Sequence, residues 1–233
     1  MTTSQTRAAQ KAHTDREFEA QLAEVRKRLL TMAGIVEAMI ASAMQALSER
    51  DAELARRTIR EDAKVNKAEC ETDMLCLRIL AKRQPMASDL RFVTLALKMV
   101  TDLERIGDLA VNICERTIDL DGSPPLDHNE DLHRMSGLVQ EMVRDAIDAF
   151  VEGDADKADG VIAHDDDVDR LYERVFQQVL QVMRLNPEAI QQGIHVQSVA
   201  KWLERMGDHA TNIAEQVIWM VKGKDVHHAG KLP

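Results

Sequence analysis

Carboxylates one helical turn apart recur at two places in this chain. Glu104 and Asp108 form one pair, Glu204 and Asp208 the other. At 100° per residue, Glu104, Asp108, Asn112 and Glu115 fall within about 80° of helix circumference, and Glu204, Asp208, Asn212 and Glu215 do the same. Oxygens on successive turns of one face can share a cation, or two or three bridged ones. Like charges at this spacing cost a helix a few tenths of a kcal/mol, which calls for something positive to offset them. The remaining ligands are expected from a neighbouring helix: Asn66, Glu69 and Asp73 in the first half, and Asp165, Asp166, Asp169 and Glu173 in the second. Oxygen-only donors favour hard cations such as magnesium, calcium, manganese or iron. Zinc is possible, although it prefers His or Cys. The competing reading is a solvated charged face, with Arg105 and Arg205 pairing locally.

Other chemistries find less support. A ferritin-like di-iron centre needs two Glu-x-x-His motifs, and the chain offers one, Glu130–His133, beside a turn. His164, His195 and His209 read as surface or capping residues rather than ligands. There is no Ser/His/Asp arrangement, no P-loop and no Gly-rich phosphate cradle. The chain is therefore expected not to be an enzyme. A carboxylate-bridged metalloenzyme and a metal-free helical adaptor stay open as alternatives.

The elements that must position these acids are legible as a duplication. Residues 103–115 read LERIGDLAVNICE and residues 203–215 read LERMGDHATNIAE, with nine of thirteen positions identical. Such a repeat sets the architecture. A first helix is predicted from Asp15 to about Glu49, with Leu22, Val25, Leu29, Met32, Val36, Met39, Ala43 and Leu47 at three- and four-residue steps. Asp51 caps a second helix to about Arg83, carrying Leu54, Ile59, Val65, Leu75, Leu77, Ile79 and Leu80, with a hinge near Glu61–Lys64. Pro85 breaks the pattern, and Ser88 or Asp89 is the expected cap of a third helix to about Leu120. Ala96, Met99, Leu103, Ile106, Ala110 and Ile113 form its core face.

The second half echoes this plan. Met135, Gly137, Val139, Met142 and Ala146 repeat the spacing of Met32, Gly34, Val36, Met39 and Ala43, and Asp154 answers Asp51. Gly107 and Gly207 sit inside helices, where Gly costs about 1 kcal/mol against Ala, and so suggest close approach of another helix. The predicted fold is all-α: a tandem repeat of two three-helix bundles, six main helices, packed side by side. Its predicted units are a flexible arm over 1–14, a first repeat over 15–122, a second over 128–222, and a flexible tail over 223–233. The cluster DGSPPLDHN at 121–129 is the boundary turn.

Composition agrees. Hydrophobic residues make up 45% of 233 residues but aromatics only 3%, which favours helix and leaves no stacking platform for single-stranded nucleic acid. The net charge of −10 argues against a phosphate backbone as partner. No secretory signal or membrane-spanning segment is evident. Three cysteines without a CxxC pair read as buried hydrophobes in a reducing compartment, and cytoplasm is the expected location.

RQPMASDLRFVTLALKMVTDLERIGDLAVNI (83–113), with its second copy WLERMGDHATNIAE (202–215), resembles the PhoU family of phosphate-specific transport system accessory proteins. The resemblance extends over essentially the whole chain. It implies a cytoplasmic negative regulator of the phosphate regulon and of phosphate uptake, commonly a homodimer. Such a protein relays the state of the phosphate ABC transporter, through its ATPase PstB, to the sensor histidine kinase PhoR. It further implies multinuclear iron or zinc held by Glu/Asp-x-x-x-Asp motifs. These map onto Glu104–Asp108, Glu204–Asp208 and Glu69–Asp73. In the second middle helix the position of Glu69 falls near Tyr172, and the acids shift to Asp165–Asp169 and Asp169–Glu173. The two stripes are expected on one broad face, fixed by metal and offered to a helical partner. Asp89, Arg91, Arg105 and Arg205 are the candidate partner-binding residues.

Overall fold

The computed structural model describes residues 2–120 and 130–223, with side chains from residue 16 onward. Six helices account for the described elements: α1 (Thr2–Glu49), α2 (Ala52–Arg83), α3 (Ala87–Asp119), α4 (Glu130–Glu152), α5 (Ala155–Leu185) and α6 (Ile190–Lys222). A single 3-10 turn, Pro187–Ala189, precedes α6. The boundary turn at 121–129 and most of the expected tail lie outside the described residues. α1 starts at Thr2 and so takes in the stretch expected as an arm.

The helix ends follow local chemistry. Asp51 caps α2 by accepting from the Leu54 N–H at 2.8 Å. Asp154 caps α5 by accepting from the N–H groups of Asp156 and Lys157. Each satisfies donors that the first turn leaves open. α2 ends on Gln84 in the left-handed region, just before Pro85. α3 corrects the expected cap: it begins after Met86, which offers no side-chain acceptor, and Ser88 and Asp89 lie within its first turn. α2 also runs unbroken through Glu61–Lys64, so there is no hinge there. That segment holds no Gly or Pro to force one.

The repeated apolar positions build the core. All eight predicted positions of α1 and all six of α3 are buried, as are Met135, Val139, Met142 and Ala146 of α4. In α2 the prediction fails at Leu77, which points to solvent, while Thr58, Thr72 and Cys76 are buried. The two threonines satisfy their hydroxyls on the carbonyls of Leu54 and Ala68, which lets polar residues enter an apolar face. A stretch of α1 within 16–49 is apolar and long enough to cross a membrane by composition alone. Its apolar residues are nonetheless the core of the first bundle.

Within each repeat the three helices pack on one another, and between repeats α3 lies along α6 and α1 along α4. Arg91 donates to the Met220 carbonyl at 3.3 Å, His209 Nδ1–H donates to Asp102 at 2.9 Å, and Arg116 donates to His195 Nδ1 at 3.0 Å. Numbers rise along α3 as they fall along α6, so the two helices are antiparallel. An approximate two-fold axis therefore crosses the seam perpendicular to the helices. Phe92 stacks on Phe150 across the same seam, with ring centroids 5.1 Å apart, and Arg144 reaches Glu37 at 3.3 Å. α2 and α5 are the outer helices. The two-fold puts the α2–α3 groove and the α5–α6 groove on the same broad face.

Candidate functional site: two acidic grooves

The first groove lies between α2 and α3. Val65 approaches Gly107 so closely that a Cβ at the glycine would meet Val65 Cγ1 at 3.4 Å and Asp62 Oδ1 at 3.8 Å. This is the helix approach expected from the mid-helix glycine, although a methyl would still fit. It brings Asp62, Glu69 and Asp73 of α2 opposite Glu104 and Asp108 of α3. Glu104 is pushed above the usual carboxylate range by desolvation and then by the charges of Asp108, Glu69 and Asp62, against Arg105. Glu69 is raised by desolvation, Asp73 and Asp108, also against Arg105. Desolvation raises Asp62 and Asp73 as well. Asn66 donates to Asp62 Oδ2 at 2.8 Å. Asp62 Oδ1 and Asp73 Oδ1 are buried without a hydrogen-bond partner. Arg105 lies on the solvent side, 3.6 Å from Glu104 and 3.5 Å from Asp108.

The second groove lies between α5 and α6. Thr211 donates to Asp165 at 3.2 Å. Desolvation raises Asp165, and Asp169, Asp166 and Glu204 add to it. Asp208 is pushed up to about 6, by desolvation first and then by Glu204, Asp165 and Asp169, against Lys201. Asp208 still reaches solvent, which screens part of that repulsion. Lys201 donates to Glu204 Oε1 at 2.6 Å and lies over the Tyr172 ring, 5.4 Å from its centroid. Glu204 Oε2 is buried without a partner.

Of the ten acids in the two pairs and the neighbouring helices, eight thus face one groove or the other. Asp166 and Glu173 do not: both are exposed, and Glu173 accepts from Gln177. Asp62 was missed. Its signal was present, since the offset of 103 that relates Asp51 to Asp154 also relates Asp62 to Asp165. Among the described residues, no group of three or more His, Cys, Asp or Glu side chains converges on a point where one ion would sit. The carboxylates are strung along each groove as neighbouring pairs. Buried oxygens stand unsatisfied in both grooves; in the first, where the donors are all oxygen and no ammonium makes a hydrogen bond to them, this suits a hard cation that draws the pairs together.

The candidate partner residues divide. Arg91 is engaged within the chain, tying α3 to the last turn of α6, and so reads as a seam residue. Asp89 sits half-buried in the first turn of α3, where a negative charge suits the helix dipole. Arg105 and Arg205 are both exposed on the grooved face. His195 and His209 belong to the seam rather than to either groove.

A duplicated three-helix bundle with one oxygen-lined groove per copy defines a class of all-helical tandem-repeat proteins. The PhoU domain matches residues 29–117 and 132–217. The phosphate-specific transport system accessory protein PhoU homolog of Pseudomonas putida is 43% identical over 220 residues, covering 94% of this chain and 86% of that protein. The accessory protein PhoU of Escherichia coli K12 is 35% identical, with 94% and 90% covered. The crystal structure of PhoU from Pseudomonas aeruginosa superposes with a TM-score of 0.84 at 42% identity, covering 89% of this chain and all of that one. The phosphate transport system regulatory protein PhoU from Streptococcus pneumoniae gives 0.83 at 29% identity, with 90% and 99% covered. The chain belongs to the PhoU family.

Proposed function

We propose that this protein is a regulatory accessory of a phosphate-specific transport system, acting in the cytoplasm as a negative regulator of the phosphate regulon and of phosphate uptake. It contacts the ATPase subunit of the phosphate ABC transporter (PstB) and passes the transporter's state to a sensor histidine kinase (PhoR). The observation that carries this reading is the placement of two acidic grooves on one broad face of a two-fold body. That is a surface built for a partner, and it needs no catalytic group. A switch of this kind requires only different affinities for two states of the partner.

A hard cation, iron or zinc by family or else magnesium or manganese, is the counter-charge in this reading. In the first groove Asp62, Glu69, Glu104 and Asp108 would hold it. When bound, it supplies positive charge that neutralises the carboxylates and fixes the spacing of α2 and α3. The side chains themselves supply oxygen donors and set the shape of the platform. The protein is proposed to work as a homodimer.

Deleting the gene tests the regulatory reading. Phosphate-starvation genes should be expressed in rich phosphate, and the full chain supplied in trans should silence them. Unchanged expression in the deletion strain would remove this function. Metal analysis of protein expressed in metal-replete medium tests the cation. Protein without bound metal, whose melting temperature is indifferent to chelator, would leave a metal-free adaptor.

A further inference from the structure

The two grooves share a register. Val65 lies against Gly107 and Val168 against Gly207, so an offset of 103 relates α2 to α5 and an offset of 100 relates α3 to α6. In that register Asp62 matches Asp165, Glu104 matches Glu204 and Asp108 matches Asp208. Four groove positions change chemical class: Asn66 is replaced by Asp169 and Asp73 by Phe176, whose charge changes cancel, and two further replacements do not cancel. Glu69 is replaced by Tyr172, and Thr101 by Lys201.

The latter two replacements touch each other. The Lys201 ammonium stands 5.4 Å from the Tyr172 ring centroid and donates to Glu204 at 2.6 Å. The Tyr172 hydroxyl accepts from Gln197 Nε2 at 3.0 Å, which holds the ring in place beneath the cation. A cation on an aromatic face with a carboxylate in hydrogen-bond contact is doubly stabilised. One replacement removes a negative charge and the other adds a positive one. With the Asn66/Asp169 and Asp73/Phe176 changes cancelling, these two raise the charge of the groove by two relative to its counterpart, which is the charge a divalent ion would bring. In the first groove no cation makes a comparably short hydrogen bond to the acids. Arg105 stays on its solvent side in longer ion pairs of 3.5 and 3.6 Å, and the equivalent Arg205 is also exposed.

We infer that Lys201, seated on Tyr172, is the resident cation of the second groove and closes it to divalent metal, so that this chain takes up metal through its first groove alone. The inference rests on the reading of the first groove as a cation site. A bound ammonium and a bound ion compete for the charge of the same Glu204 carboxylate. The ammonium is covalently tethered, so its local concentration far exceeds that of any free metal.

Equilibrium dialysis of the full chain against Mn2+, read by elemental analysis, tests it. Six proteins are compared: wild type, Glu69→Gln with Asp108→Asn, Lys201→Thr, Lys201→Thr added to the Glu69/Asp108 variant, Lys201→Thr with Tyr172→Glu, and Glu204→Gln. Lys201 is largely exposed, so Lys201→Thr is expected to fold; the double variant reverses the two replacements that touch each other. Wild-type uptake should vanish in the Glu69/Asp108 variant. Lys201→Thr should add Mn2+ that survives the Glu69 and Asp108 changes, with tighter binding in the double variant. Wild-type Mn2+ that is lost on Glu204→Gln would overturn the inference, as would Lys201 variants that gain none. If wild type binds no Mn2+ while the Lys201 variants do, the gate stands and the first-groove cation reading falls.

Discussion

Asp208→Asn offers a direct measure of how crowded the second groove is. The folded chain holds the Asp208 carboxyl up to about 6 from an ordinary 3.8. Between those values the folded state keeps a proton that the unfolded chain has released. The contribution of Asp208 to stability is therefore greatest below about pH 4 and is lost as pH rises toward 6. The gap corresponds to about 3 kcal/mol by the usual conversion. Asp208 is open to solvent, however, and an exposed interaction delivers only a fraction of that, about 1 kcal/mol. Asn keeps the shape without the charge. Urea unfolding of chelator-treated protein should show Asp208→Asn more stable than wild type by about 1 kcal/mol at pH 7, with the two curves meeting near pH 4. A variant that is less stable at pH 7, or a difference that does not change with pH, would refute the crowding argument.

Three further outcomes follow from the packing. Gly207→Ala should stabilise α6 by up to about 1 kcal/mol, because a Cβ there meets only Val168 and Met142 at 3.5 Å and beyond; Gly193→Ala should destabilise, because its Cβ runs into Met183 and comes within 3.1 Å of Val179. Asp51→Ala and Asp154→Ala should each cost about 1 kcal/mol in urea unfolding, as losses of N-caps do. Phe150→Ala should cost about 3–5 kcal/mol as a buried large-to-small change, and should lower both repeats in one transition because the ring stacks on Phe92 of the other repeat.

Much of this was written in the sequence because duplication states each rule twice. The caps Asp51 and Asp154, the core positions of α1, α3 and α4, and the acid pairs of α3 and α6 all recur with fixed offsets, and side-chain periodicity does the rest. The failures have physical causes. Leu77 and Glu173 lie on the outer helices, where a single contact layer leaves the angular position of a residue weakly constrained. The start of α3 was misplaced because the chain turns on Gln84 and Ala87 at positive φ rather than on a Ser or Asp cap. Gly107 suggested a steric necessity, yet the gap beside Val65 admits a methyl. The antiparallel seam was invisible, since Asp102 with His209 and Arg116 with His195 are pairs that only tertiary structure brings together.

The antiparallel seam gives the grooved face a heads-or-tails ambiguity. Rotated by half a turn in its own plane, the face presents the second groove where the first had been, with the acids running the same way. A partner reading only carboxylates would dock equally well in two orientations, and a signal passed through such a contact would lose its direction. Lys201 and Tyr172 mark one end of the face as different from the other. For a partner docked on this face, the cation and ring that distinguish one groove would serve as an orientation key, and a chain whose two copies had stayed identical would lack one.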